Sequence, residues 1–246
     1  MRVGVYDSGV GGLSVVKSLL AHNLFDEIIY YGDTARVPYG VKDKTTIVRY
    51  SLESLEFLKN FDIKLLIVAC NTVSAWALSE MQQNADFDII GVIEPGVMAT
   101  KKVTCKDDSV LILGTKATIS SGLYQNKLKE CGYKNIQAIA PSLFVPIVEE
   151  GLFSGEVLKS TMHHYFKDIK QNPDAVILGC THFPLIQDAL QNYFPKSKLI
   201  HSGDAIVEYL QNNYKLPLPK EKTKLTLLAS ADIESLKKTA KVWLNL

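Results

Sequence analysis

The chain has 246 residues, 47% hydrophobic and 22% charged, which excludes a disordered polypeptide and provides length for one large or two small cores. Lys+Arg 27 against Asp+Glu 26 gives a formal charge of +1, so no bulk field draws nucleic acid or anionic lipid, and the expected partner is a small molecule. The N-terminus enters a strand-like run with no basic or cleavable leader, and no stretch reaches membrane-spanning length. The expected location is therefore the cytoplasm, where four reduced cysteines serve as catalytic, ligating or buried groups and not as a disulfide framework.

The first predicted strand, VGVYD at 3–7, ends on Asp7 and runs through Ser8 into a glycine turn, DSGVGGLSV. A helix with Leu13, Val16 and Leu20 on one face follows. Strand, Gly9, Gly11, Gly12 and helix together are similar to a dinucleotide phosphate turn, with Asp33 after the second strand (EIIYYG, 27–32) in the place of a ribose-binding acid. Two features count against that reading: Ser14 stands where Gly or Ala is expected, and Asp7 would set a negative charge beside the pyrophosphate. The glycines are expected instead to let backbone N–H groups approach a smaller anion, a carboxylate. A helix with Leu52, Leu55 and Leu58 leads to the third strand, LLIVAC at 65–70, which ends on Cys70 before Asn71 and Thr72. IIGVI at 89–93 is the fourth, and VIEPGVMATKK at 92–102 holds the Pro and Gly where a first half hands over to a second.

In the second half SVLILG at 109–114 precedes Thr115 and Thr118, IQAIA spans 136–140, and Glu149 closes the apolar run in SLFVPIVEEG. AVILGC at 175–180 ends on Cys180, followed by Thr181 and His182. LTLLA at 225–229 and the helix ESLKKTAKVWLNL are expected to return and complete the first half's sheet. Strands alternating with amphipathic helices predict α/β architecture with mostly parallel sheets and a ligand at the carboxyl ends of the strands. KLLIVACNTVSA (64–75) and DAVILGCTHFPL (174–185) share the order strand, Cys, hydrogen-bonding residue, helix. The expected organisation is thus two pseudo-symmetric α/β domains, 1–93 and 94–205, with the active site in the cleft between them. A return segment, 206–246, packs on the first.

Cys70 and Cys180 each follow a strand at a helix start, where backbone N–H groups and the helix dipole favour the thiolate. One such cysteine is equally a small buried hydrophobe. Two, one from each half, point to equivalent groups reaching one ligand from opposite sides. Cys105 in KVTCKDDS and Cys131 before Gly132 have no such context and are expected to be inert. The spacings contain no Cys-x-x-Cys pair, so no metal is expected. His182 is either structural or a relay for the Cys180 proton. Asp7 is either a turn former or a carboxylate at the edge where Cys70 emerges, and Glu149 and Arg36 have solvated surface as their alternative. Ser8, Asn71, Thr72, Thr115, Thr118 and Thr181 are each a helix cap alone. Together they make a pocket of neutral donors for an amino acid with two carboxylates, its ammonium met by Asp7 or Glu149.

The segments DSGVGGLSV, YYGDTARVPYG, ACNTVSA, GVIEPG, LFVPIVEEG and LGCTHFPL, in that order over nearly the whole chain, resemble the aspartate/glutamate racemase family. The resemblance implies cofactor-independent racemisation of L- and D-glutamate, a place in peptidoglycan synthesis, and commonly a homodimer. It implies Cys70 and Cys180 as the proton-transferring pair, Asp7 and Glu149 around the first thiol and His182 beside the second. It also implies substrate contacts at Ser8, Tyr39, Gly40, Asn71, Thr72 and Thr181, with Thr115 and Thr118 as further carboxylate partners. Aspartate racemases of this kind generally carry Thr-Glu where this chain has Thr181-His182, and lack the DSGVGG start, which favours glutamate. The competing readings are aspartate racemisation, a dinucleotide-dependent oxidoreductase, and an amino-acid-binding module that leaves the α-hydrogen in place.

Overall fold

The computed structural model describes residues 1–216 and 221–245. Nine strands are present among them: β1 Arg2–Asp7, β2 Glu27–Gly32, β3 Leu65–Val68, β4 Asp88–Gly91, β5 Ser109–Gly114, β6 Asn135–Ile139, β7 Ala175–Gly179, β8 Lys198–His201 and β9 Lys224–Ala229. They form two sheets, ordered β4-β3-β1-β2-β9 and β6-β5-β7-β8, and every pairing is parallel. The central strands β3 and β7 are buried along their whole length, the near-continuous apolar run that a sheet covered on both faces requires. Apolar clusters lie on both faces of each sheet, built around Leu19 and Leu66 in the first and Phe144 and Tyr124 in the second.

The order β4-β3-β1-β2 in one sheet is the order β8-β7-β5-β6 in the other, and this repeat places Cys70, after β3, and Cys180, after β7, at equivalent positions. Register then brings the chemistry to one edge. Tyr6 pairs with Val68 and Asp7 with Gly32, so Asp7, Asp33 and Cys70 leave the first sheet together. Gly114 pairs with Gly179, so Thr115 and Cys180 leave the second side by side.

Three features differ from the sequence reading. The strand β8 has no counterpart in it, because KLIH is four residues long with a polar residue at each end. Pro95 and Gly96 do not break the chain; they lie inside the helix Ile93–Val103. Proline is tolerated in a first turn, where its missing N–H has no intrahelical partner to lose. The helix Ser202–Asn213, across which the expected boundary at 205/206 falls, starts at the end of β8 and packs on the helix Leu13–His22 of the first sheet. After it the chain does return: β9 pairs with β2, and Trp243 of the helix Ile233–Leu244 touches the cores of both sheets.

Candidate active site

The carboxyl ends of the two sheets face each other across a cavity of about 240 Å³. Ser8, Tyr39, Gly40, Cys70, Asn71, Thr72, Thr115, Glu149, Cys180, Thr181 and His182 all line it. Asp7 and Thr118 are not in its wall; both are buried at 1% exposure and reach it through hydrogen bonds to residues that are. Arg36 is also absent from it. Its guanidinium pairs with Asp33 and Glu53 and lies over the ring of Tyr50.

Cys70 stands at the N-cap of the helix Asn71–Trp76, with its thiol 3.4 Å from Ser8 Oγ. The helix start was expected to favour the thiolate, and the structure opposes it: burial, then the negative charge of Asp7, push the thiol up to about 12. The N-cap contribution loses because the sulfur is withdrawn from water beside a buried carboxylate. Burial also raises Asp7 itself, whose Oδ2 accepts from the N–H of Gly9 at 2.9 Å and whose Oδ1 accepts from Thr181 Oγ1 at 3.3 Å.

The second thiol has a different neighbourhood. Cys180 Sγ lies 3.8 Å from His182 Nδ1, and His182 Nε2 lies 3.0 Å from Glu149 Oε1. Burial works against the imidazolium, but the bonds to Cys180 and Glu149 outweigh it and raise His182 to about 10. Here the resemblance needs correcting: Glu149 was to assist the first thiol, and its carboxylate is instead on the imidazole beside the second. The helix Phe144–Glu149 belongs to the second sheet, so its last residue faces the loop after β7.

The hydroxyls of Thr72, Thr115 and Thr118 form a closed triangle of 2.8, 3.2 and 2.9 Å edges across the two halves. Asn71 is oriented by Tyr124, whose hydroxyl donates to Oδ1 at 2.8 Å. Gly40 meets the other half so closely that a Cβ would stand 2.6 Å from Thr115 Cβ. The phenol of Tyr39 does not aim at a ligand; it donates to Asp33 and lies 3.2 Å from the Tyr6 hydroxyl.

Sequence reasoning missed Lys116, the single Lys or Arg in the cavity wall among the described residues, although it stands directly after Thr115 in LGTKATI. It also missed the apolar rim of Val37, Val41, Pro141 and Val145, which only tertiary structure brings together. The glycine turn does bring a backbone N–H to a carboxylate, the protein's own: Gly9 N–H donates to Asp7, and a Cβ on Gly12 would stand 2.6 Å from Asp7 Cβ. The space over Gly11 is filled by Thr181 and His182, leaving no room for the pyrophosphate of a dinucleotide.

Two thiols at equivalent strand ends line one small cavity between two parallel sheets, an arrangement that can bring an acid and a base to one ligand. A family model described as Asp/Glu/hydantoin racemase matches residues 14–210. A glutamate racemase from a Nitratiruptor species is 60% identical, over 100% of this chain and 97% of the relative. The crystal structure of glutamate racemase from Campylobacter jejuni subsp. jejuni matches with a TM-score of 0.98 at 57% identity, covering 100% of this chain and 99% of that one. A glutamate racemase from Francisella tularensis subsp. tularensis, in complex with D-glutamate, matches at 0.88 and 30% identity, over 100% of this chain and 94% of that one. The chain belongs to the Asp/Glu/hydantoin racemase family.

Proposed function

We propose that the protein is a glutamate racemase that interconverts L- and D-glutamate without a cofactor, supplying the D-enantiomer for peptidoglycan. The observation that carries this reading is the pair of buried thiols, one per sheet, on a single cavity. The α-hydrogen of an amino acid is a weak acid, and a single base tends to return the proton to the face it left; an acid and a base on opposite faces invert the centre. From D-glutamate, Cys70 as thiolate takes the proton and Cys180 as thiol gives one; from L-glutamate the roles exchange.

The surroundings suit those tasks. A thiol raised to about 12 beside Asp7 is a poor base until a cation approaches, and glutamate brings one in its ammonium. Cys180 has the His182 imidazolium 3.8 Å away, which hands a proton back to the sulfur after it has acted as acid. The hydroxyls and amide of Ser8, Asn71, Thr72, Thr115 and Thr181 hold the two carboxylates, and Thr118 backs the threonine triangle. The two halves, each built on one of the sheets, close on the substrate and exclude water. No helix among the described residues is long and apolar enough to cross a membrane, which accords with a cytoplasmic enzyme, here read as a homodimer.

The test is incubation with each enantiomer in D₂O after dialysis against a chelator and without pyridoxal phosphate, followed by NMR of the α-proton and polarimetry. Deuterium incorporation with loss of optical rotation is expected from both. Binding without exchange would leave an amino-acid-binding module, and a strict cofactor requirement would end the two-thiol account.

A further inference from the structure

The turn after Asp7 has a use that proton transfer does not explain. A Cβ on Gly11 would stand 2.2 Å from Thr181 Oγ1 and 2.7 Å from both Cε1 and Nδ1 of His182, so the turn lies flat against the segment Cys180–Thr181–His182 of the other sheet. Ser14, in the first turn of the helix Leu13–His22, is buried and donates its hydroxyl to the carbonyl of Thr181 at 2.8 Å, across 167 residues of sequence. Its own N–H is tied to Gly11 O at 3.0 Å, which fixes Ser14 to the same turn. Thr181 is thus gripped twice by the first half: its carbonyl by Ser14 and its hydroxyl by Asp7. It is also the residue between the second thiol and its imidazole.

We propose that Ser14 is a positioning residue that sets where the Cys180 thiol stands relative to the substrate, with Gly11 as the surface against which it is set. The inference rests on the glutamate racemase reading above. A buried carbonyl stripped of its donor is left unsatisfied, and its segment relaxes toward another partner. Proton transfer across a pair of thiols tolerates little such movement, since a misplacement of about 1 Å costs on the order of 10²-fold. The displacement falls first on Cys180, which is bonded directly to Thr181, whereas Cys70 is held by Ser8 and the start of its own helix, neither of which Ser14 bonds, and is linked to the segment only through Asp7. Ser14 lies outside the cavity wall and touches no substrate group itself, and the Thr181 hydroxyl keeps its bond to Asp7, so the loss falls mainly on kcat.

The experiment compares wild type, Ser14→Ala, Ser14→Thr and Gly11→Ala in D₂O with each enantiomer, scoring α-proton exchange against inversion in the same tube. For Ser14→Ala a fall in kcat of about tenfold, with KM within about twofold, is expected. Starting from D-glutamate, Cys70 still removes the proton while Cys180 returns it poorly, so deuterium enters unracemised substrate several-fold more often than in wild type. Starting from L-glutamate the same intermediate is captured by Cys70, so exchange without inversion falls below the wild-type ratio. Ser14→Thr, which keeps the hydroxyl, restores the ratio, and Gly11→Ala, which displaces the same segment bodily, reproduces the bias and decides the matter if the alanine variant is insoluble. An unchanged ratio in a folded Ser14→Ala protein overturns the positioning role, whatever the loss in rate. A wild type that does not exchange the α-hydrogen overturns the racemase reading itself, and the inference falls with it.

Discussion

The two thiols occupy equivalent places in sheets of the same strand order, but their neighbours have opposite electrical character. Beside Cys70 are a neutral hydroxyl and a buried carboxylate, Ser8 and Asp7; beside Cys180 is an imidazole raised to about 10 and bonded to Glu149. The backbone repeat duplicates position and leaves the difference to the strand ends and loops, DSG from the last residue of β1 in one half and THF beyond Cys180 in the other. This division is physically reasonable for a reaction on two faces of one carbon. Position must be matched, because the two enantiomers offer mirror-related hydrogens. Helpers need not match, because both enantiomers carry the same carboxylates and ammonium.

The comparison breaks most severely when either thiol is removed. Cys70→Ala and Cys180→Ala should each lower racemisation by about 10²–10⁴-fold, the usual range for a general acid or base, as followed by polarimetry. Near wild-type turnover by either one would remove the basis for pairing the halves. Replacing the helpers should cost less and reveal their difference. At equilibrium L- and D-glutamate are mirror images with an interconversion constant of one, so any variant lowers kcat/KM equally for both, and the asymmetry must be sought in kcat, KM or exchange. Asp7→Asn and His182→Asn are expected to bias exchange without inversion in opposite senses in D₂O. Glu149→Gln, acting through the imidazole, should follow His182→Asn with a smaller effect. The same sense of bias from Asp7 and His182 would mean that the helpers are shared.

Stability against pH probes the same contrast without substrate. His182 holds its proton in the folded protein up to about 10, whereas in the unfolded chain it releases it near 6.5. Its contribution is therefore fully present below pH 6.5 and is lost as pH rises through 10. Cys70 has the same sign in a higher window, since its thiol is raised from 9.0 to about 12. The melting temperature should fall between pH 6.5 and 10, and the slope should be shallower in Glu149→Gln, where one of the two groups that hold the imidazolium is gone. An identical slope in the two proteins would detach Glu149 from His182.

The parts of this molecule that could be read from sequence are those set by local pattern. Eight strands lie in apolar runs bounded by turn residues, and Cys70 and Cys180 are both marked by ending such a run; β3 and β4 are as short as β8 but sit in the longer runs LLIVAC and IIGVI, whereas β8 offers only Leu199 and Ile200 between Lys198 and His201. What sequence hid depends on partners far along the chain. Gly11 is a glycine because of Thr181 and His182, and Glu149 belongs to the second thiol because of where the helix Phe144–Glu149 lands. The direction of the Cys70 shift was hidden for a similar reason: a helix start is visible in sequence, but the burial that outweighs it is not.

The smallest expected effect comes from the remaining two cysteines, and it makes the comparison measurable. Cys105 is exposed and Cys131 half-buried, and neither lines the cavity. The double variant Cys105→Ala, Cys131→Ala should keep most of the wild-type kcat and melting temperature, as surface substitutions usually change stability by no more than about 0.5 kcal/mol. Substantial loss of activity in the folded double variant would mean that the working pair has been misassigned. With those thiols gone, alkylation at neutral pH reports on Cys70 and Cys180 alone. The thiolate is the form that reacts, so Cys70, pushed up by burial and the Asp7 charge, should be modified last. Peptide mapping over time should show label on Cys180 first and on Cys70 last. Adding D-glutamate should slow both, since the two sulfurs share one cavity. The reverse order of labelling would mean that the Asp7 carboxylate does not set the reactivity of Cys70, and the electrical contrast between the halves would be lost even if both thiols prove essential.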